Sequence, residues 1–165
     1  MRRYSLLLIL AGLVVSVSCQ TVPRSARVDS TPPPESPAAR EKLISYPFDA
    51  VWSALEEVLK ARGWIITSRD QDTGVITTSY EEIAGDSAYA HCRSGRRSSL
   101  REYRAQLDIT VKRVTANGTN VTIVSRFDAV DSSRRESQPR VECGSTGQLE
   151  TELFAAVDSV ILARK

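Results

Sequence analysis

The sequence predicts an α+β domain: two layers, with one antiparallel sheet of four to five strands packed by two helices on one face. Three observations support this. An apolar stripe at helical spacing runs from Phe48 to Leu59, two long alternating segments occupy the middle of the chain, and a second helical stripe lies near its end. The expected order is β-α-β-β-β-β-α within residues 41–165, opened by a short strand at Lys42–Ser45.

In "YPFDAVWSALEEVLKARG", Phe48, Val51, Trp52, Leu55, Val58 and Leu59 fall on one helical face, with Ser53, Glu56, Glu57 and Lys60 opposite. Pro47 suits a first turn, Asp49 favours the positive end of the helix dipole, and Gly63 is placed to end the helix. Two β-rich runs follow, Trp64–Arg69 and Val75–Tyr80, on either side of the turn residues "DQDTG". Residues 82–98 are small and polar and read as a long loop.

Next, Tyr103, Ala105, Leu107, Ile109 and Val111 alternate with polar residues, as do Val121, Ile123, Ser125, Phe127 and Ala129. Asn117-Gly118 between them predicts a tight hairpin turn with positive φ. Such strands have one wet face and one buried face. Residues 131–144 read as a second irregular stretch. Ser145 and Gln148 then have capping-box spacing, ahead of a stripe of Leu149, Leu153, Ala156, Val157, Val160 and Ile161.

The N-terminus, "MRRYSLLLILAGLVVSVSCQ", joins a basic pair to an uncharged apolar stretch at Leu6–Val17. Twelve helical residues rise about 18 Å, well short of the roughly 30 Å hydrocarbon core, so the stretch reads as a secretory signal over residues 1–18. Small residues before Cys19 resemble the bacterial lipoprotein signal, in which that cysteine is acylated and becomes the first mature residue; Ser16 stands where such signals usually have Leu. Residues 19–40 then form a proline-rich tether, extended and partly polyproline II. Gln20 after the lipid site, in place of Asp, points to the outer membrane under enterobacteria-like sorting.

Removing residues 1–18 takes Arg2 and Arg3 from 22 basic residues, leaving 20 against 20 acidic ones. A formally neutral mature chain offers no electrostatic case for nucleic-acid binding. With Cys19 lipidated, Cys92 and Cys143 remain as a natural disulfide in an oxidising compartment; the alternative is two free thiols. His91 beside Cys92 raises a thiol-enzyme reading, but sequence neighbours rarely align as nucleophile and base. One histidine and two cysteines also lack zinc-site spacing. No catalytic constellation, metal site or cofactor is expected. Arg93, Arg96 and Arg97 in one loop, with Arg134, Arg135 and Arg140 in the other, form a candidate basic contact patch. Nearby Asp86, Glu102 and Asp131 give the competing reading of balanced, solvated loops.

The segment from Tyr46 to Tyr80 resembles the helix-grip repeat of the NlpB/DapX (BamC) lipoproteins of outer-membrane assembly. There a helix beginning at a Val-Trp pair runs into a strand and then a hairpin with an Asp…Thr-Gly turn. The matching residues are Val51, Trp52, Gly63, Asp70, Thr73, Gly74 and Ile76. The resemblance implies a non-enzymatic envelope lipoprotein facing the periplasm, whose single domain serves as an interaction or scaffold module for envelope proteins. The alternative is a domain binding a lipid or other apolar ligand between the last helix and the sheet.

Overall fold

The computed structural model describes residues 39–83, 88–92, 100–133 and 139–164. The chain order is β1 (Ala39–Ile44), α1 (Phe48–Ala61), β2 (Ile66–Asp70), β3 (Val75–Thr78), β4 (Glu81–Glu82), β5 (Ala90–His91), β6 (Leu100–Thr115), β7 (Gly118–Asp131), β8 (Arg140–Ser145) and α2 (Gln148–Ala163). The α+β class and the two helices agree with the sequence reading, and the strands are more numerous than expected.

The long pair β6–β7 is the centre of the sheet. β3 and then β2 continue it on one side, and β4 adds two residues beside β6. On its other side β7 carries two strands in succession, β1 against Thr119–Val124 and β8 against Phe127–Val130. Alternation decides the faces. Ala105, Leu107, Ile109 and Val111 of β6, with Val121, Ile123 and Phe127 of β7, are buried against the helices.

All six residues of the α1 stripe are buried, and the helix ends as Gly63 suggests. Gly63 has φ +80°; its N–H reaches Lys60 O, while Trp64 N–H reaches Leu59 O at 2.9 Å. That is a Schellman cap, closed by contact-prone apolar residues at Trp64 and Leu59. In α2 the buried set includes Leu149, Leu153, Val157 and Ile161 of the expected stripe, and adds Phe154 and Glu150.

Several expectations need correction. β1 includes Ala39 and Arg40, which the sequence reading gave to the tether, because their ladder partners on β7 are Val124 and Ile123. The 82–98 loop contains Glu82 of β4 and all of β5, and the 131–144 stretch contains most of β8. The β6–β7 turn lies at Ala116-Asn117, and neither Asn117 nor Gly118 has positive φ. A Cβ at Gly118 would lie 2.6 Å from Thr115 Oγ1, so that hydroxyl would have to turn aside. The Ser145–Gln148 capping box does not form either, since Gly147 occupies the N-cap with φ +85°.

Gly74 carries the tightest approach in the fold. Its φ is +72°, its carbonyl accepts Val111 N–H at 2.7 Å, and a Cβ would lie 2.1 Å from Val111 O. Gly63 needs its positive φ equally but has open space around it. Gly74→Ala should therefore destabilise by about 2 kcal/mol or more, and Gly63→Ala by only about 1 kcal/mol. Urea denaturation of the two variants checks the ranking; equal losses would remove the close-approach account.

Candidate functional site

Chemistry-bearing residues gather where β8 leads into α2. Two residues of β5 lie on the outer side of β8, Ala90 opposite Ser145 and His91 opposite Gly144. Continuing this register puts Cys92 opposite Cys143, and their sulfurs are joined. Thr146 holds the preceding residues, donating its N–H to Tyr89 O at 2.9 Å and its hydroxyl to Ala88 O at 2.6 Å. The Tyr89 hydroxyl donates to Glu152 of α2 at 3.0 Å.

Beneath this arrangement Glu150 is fully buried in the first turn of α2. Gly147 N–H donates to Ser145 Oγ at 2.9 Å, and the Ser145 hydroxyl donates to Glu150 Oε1 at 2.7 Å. Serine and glutamate thus cap the helix through a relay, with the carboxylate at the positive end of the dipole. Glu150 Oε2 has no hydrogen-bond partner among the described residues. The sequence reading missed Glu150, because a glutamate beside Leu149 looks like a solvated first-turn acid.

The sheet face away from the helices carries a second polar cluster. Asp128 on β7 accepts two hydrogen bonds from Arg104 on β6, at 3.1 and 2.7 Å, and one from Arg140 on β8 at 2.7 Å. Arg140 also reaches Glu102, both at its carboxylate (3.6 Å) and at its carbonyl (3.4 Å). Glu102 has φ +49°, uncommon for a residue with a side chain, and sits in a bulge where β6 shifts register between Arg101 and Arg104. Burial pushes the Asp128 carboxyl up, but hydrogen bonds and charge from Arg104 and Arg140 outweigh it and hold it below its ordinary range. Further along this face Arg126 and the Thr77 hydroxyl both bond Asp108. Arg104, Arg126 and Arg140 on this open face are each paired with an aspartate.

Between α2 and the sheet, the place an apolar ligand would occupy, Leu107, Ile123, Leu153 and Val157 are fully buried. A separate recess of about 320 Å³ lies at the start of α1, lined by Phe48, Asp49, Gln71, Asp72 and Arg113. It is open and polar: Gln71 donates to Asp49 at 3.3 Å, and the Arg113 guanidinium lies 5.1 Å from the Phe48 ring centre. Apolar ligands favour enclosed, mostly apolar sites, and this recess is of the other kind.

Of the predicted contact patch, Arg140 is described, and it is committed to Asp128 and Glu102. Arg93, Arg96, Arg97, Arg134 and Arg135 lie outside the described residues, as do Cys19, the 1–18 signal and the tether up to residue 38. His91 lies against Gly144, with Nε2 3.2 Å from the position a Cβ there would take. Cys92, in the bonded form, is no thiolate nucleophile.

Residues 39–137 match the family described as outer membrane protein assembly factor BamC-like C-terminal domain, and the chain belongs to that family. No curated protein matches the chain. Among solved structures, a DUF4468 family protein from Bacteroides ovatus ATCC 8483 is similar at 16% identity. That match covers 81% of this chain and 85% of the other, with a TM-score of 0.38.

The Asp128 cluster predicts an acid-sensitive part of the stability. With its folded pKa depressed, Asp128 contributes fully above the unfolded value of about 3.9 and loses that contribution as pH falls through the lower folded value. Asp128→Asn should cost about 1–2 kcal/mol at pH 7, the low end for a charged hydrogen-bonded group because Arg140 is partly screened by solvent. The gap from wild type should close in strong acid. Urea titrations at pH 7 and near pH 2 check this; a gap of constant size would show that the carboxylate's charge is not involved.

Proposed function

We propose that this chain is an envelope lipoprotein, held at the outer membrane by lipid on Cys19, whose periplasmic domain is a non-enzymatic protein-interaction module in outer-membrane protein assembly. The observation that carries this reading is the family match, which runs from the first residue of β1 through β7 into the segment beyond it. The residues themselves support it. The helix layer is closed by a packed core, and the open sheet face is polar, with Arg104, Arg126 and Arg140 each paired to an aspartate. Both flanking strands carry charges that discourage unspecific strand pairing, Arg40, Glu41 and Lys42 on β1 and Arg69 and Asp70 on β2. The proline-rich residues between Cys19 and β1 would hold this domain away from the bilayer while leaving it free to meet a partner.

Two measurements bear on separate parts of the proposal. Gentle solubilisation of membranes carrying the full chain, followed by affinity purification, should recover outer-membrane assembly proteins with it; recovery without them would remove the assembly role. Mass spectrometry of the mature N-terminus should find a diacyl or triacyl mass on Cys19, and Cys19→Ala should move the protein from the membrane to the soluble periplasmic fraction. An unmodified N-terminus would overturn the anchor and leave the interaction role standing.

A further inference from the structure

We propose that residues 88–92 form a redox-latched strap on the outer edge of β8. The Cys92–Cys143 bond holds it shut, and a dithiol reductant releases it while the sheet and both helices remain folded.

The register places the bond directly after two ladder pairs. Among the described residues Ala90 and His91 pair with β8, and the disulfide joins the next opposed residues. Beyond these pairs the strap makes three hydrogen bonds, from Thr146 and Tyr89, sets the His91 ring against Gly144, packs Tyr89 against the core and buries Ala90 within it. These interactions must offset the ordering of five residues at the outer edge of β8, and edge segments open locally more often than central strands. A covalent bond changes that balance most where the non-covalent hold is smallest.

The pairing that holds β8 in the sheet lies on its other edge. β8 pairs with β7 from Phe127↔Cys143 to Val130↔Arg140, on the side away from β5. α2 is anchored by Leu149, Leu153, Phe154, Val157 and Ile161. Both cysteines are half-buried. A reductant thiolate bonds one sulfur and the other leaves as a thiolate. The second reductant thiol then closes on the first, releasing the remaining cysteine. Each cysteine ends with one proton, and the reductant is oxidised to its disulfide. Opening bares the outer-edge backbone of Gly144, Ser145 and Thr146 and frees Glu152 from Tyr89. The redox state therefore decides whether the edge beside the first turn of α2 is covered.

Hydrogen-exchange mass spectrometry on the full chain tests this, comparing oxidised protein, protein treated with dithiothreitol under native conditions, and Cys92→Ser/Cys143→Ser. Reduction should accelerate exchange in 88–92 and 144–146 on the order of 100-fold. β6 and β7 should stay slow, and the variant should match the reduced form. Three results would overturn the proposal: a bond that yields only in denaturant, strap amides that stay slow once it is reduced, or loss of protection in β6–β7. The last would make the bond a staple for the whole domain. Should the variant fail to fold, the dithiothreitol comparison still decides.

Discussion

The fold depends on one antiparallel ladder, β6 against β7. It runs from Leu100↔Asp131 to Thr115↔Gly118 and satisfies the backbone of the two longest strands in the chain. β3, β4, β1 and β8 are then strips added to its two edges, and the helices cover whichever face its alternation makes apolar. The constraint is strict because strand side chains have a period of two. A slip by one residue would send Leu107, Ile109, Val121 and Ile123 to the wet face and Asp108, Arg126 and Asp128 to the core. β6 absorbs its extra residues in bulges, one at Glu102, so that the alternation survives on both sides.

Elements whose side-chain pattern and final environment agree were legible from the sequence: α1, with its apolar stripe and terminal glycine, and the alternating middle of β6 and β7. β8 was not legible. "RVECGS" contains little beyond Val141 and Cys143 to suggest burial, and its strand state comes from pairing with β7. β4 and β5 have two residues each, too short for any periodicity. Gly118 shows a different failure. Its dipeptide implies a turn with positive φ, whereas the glycine opens β7 without one and lies close to the Thr115 hydroxyl. Local chemistry identified the residue type correctly and assigned it the wrong reason.

Charge was the least legible property. Counting arginines placed Arg140 in a contact patch, but counting cannot see that β8 lies beside β7 and brings Arg140 onto Asp128. The desolvation of Asp128 makes the pairing matter. A half-buried carboxylate between two guanidinium groups favours ionisation, so it binds β6, β7 and β8 together across the open face. Glu150 is the reverse case, a carboxylate that looked solvated and lies fully buried. Its position follows from Gly147, whose left-handed backbone starts α2 at a point where Ser145 can link the N-cap amide to the glutamate.

Stability in this domain is consequently uneven, and the unevenness follows the topology. The β6–β7 ladder and the side chains buried against the helices form a region that can open only by giving up many interactions together. The strap at residues 88–92 lies at the margin of that region, reaching it through β8, the start of α2, buried Ala90 and the Tyr89 ring. The same bond energy has different consequences at these two places. Within the central ladder one more link would change little, because the neighbouring strands already fix the geometry. At the margin a single Cys92–Cys143 bond accounts for much of the difference between a covered edge and an open one. A cross-link there can control one surface without deciding whether the protein folds.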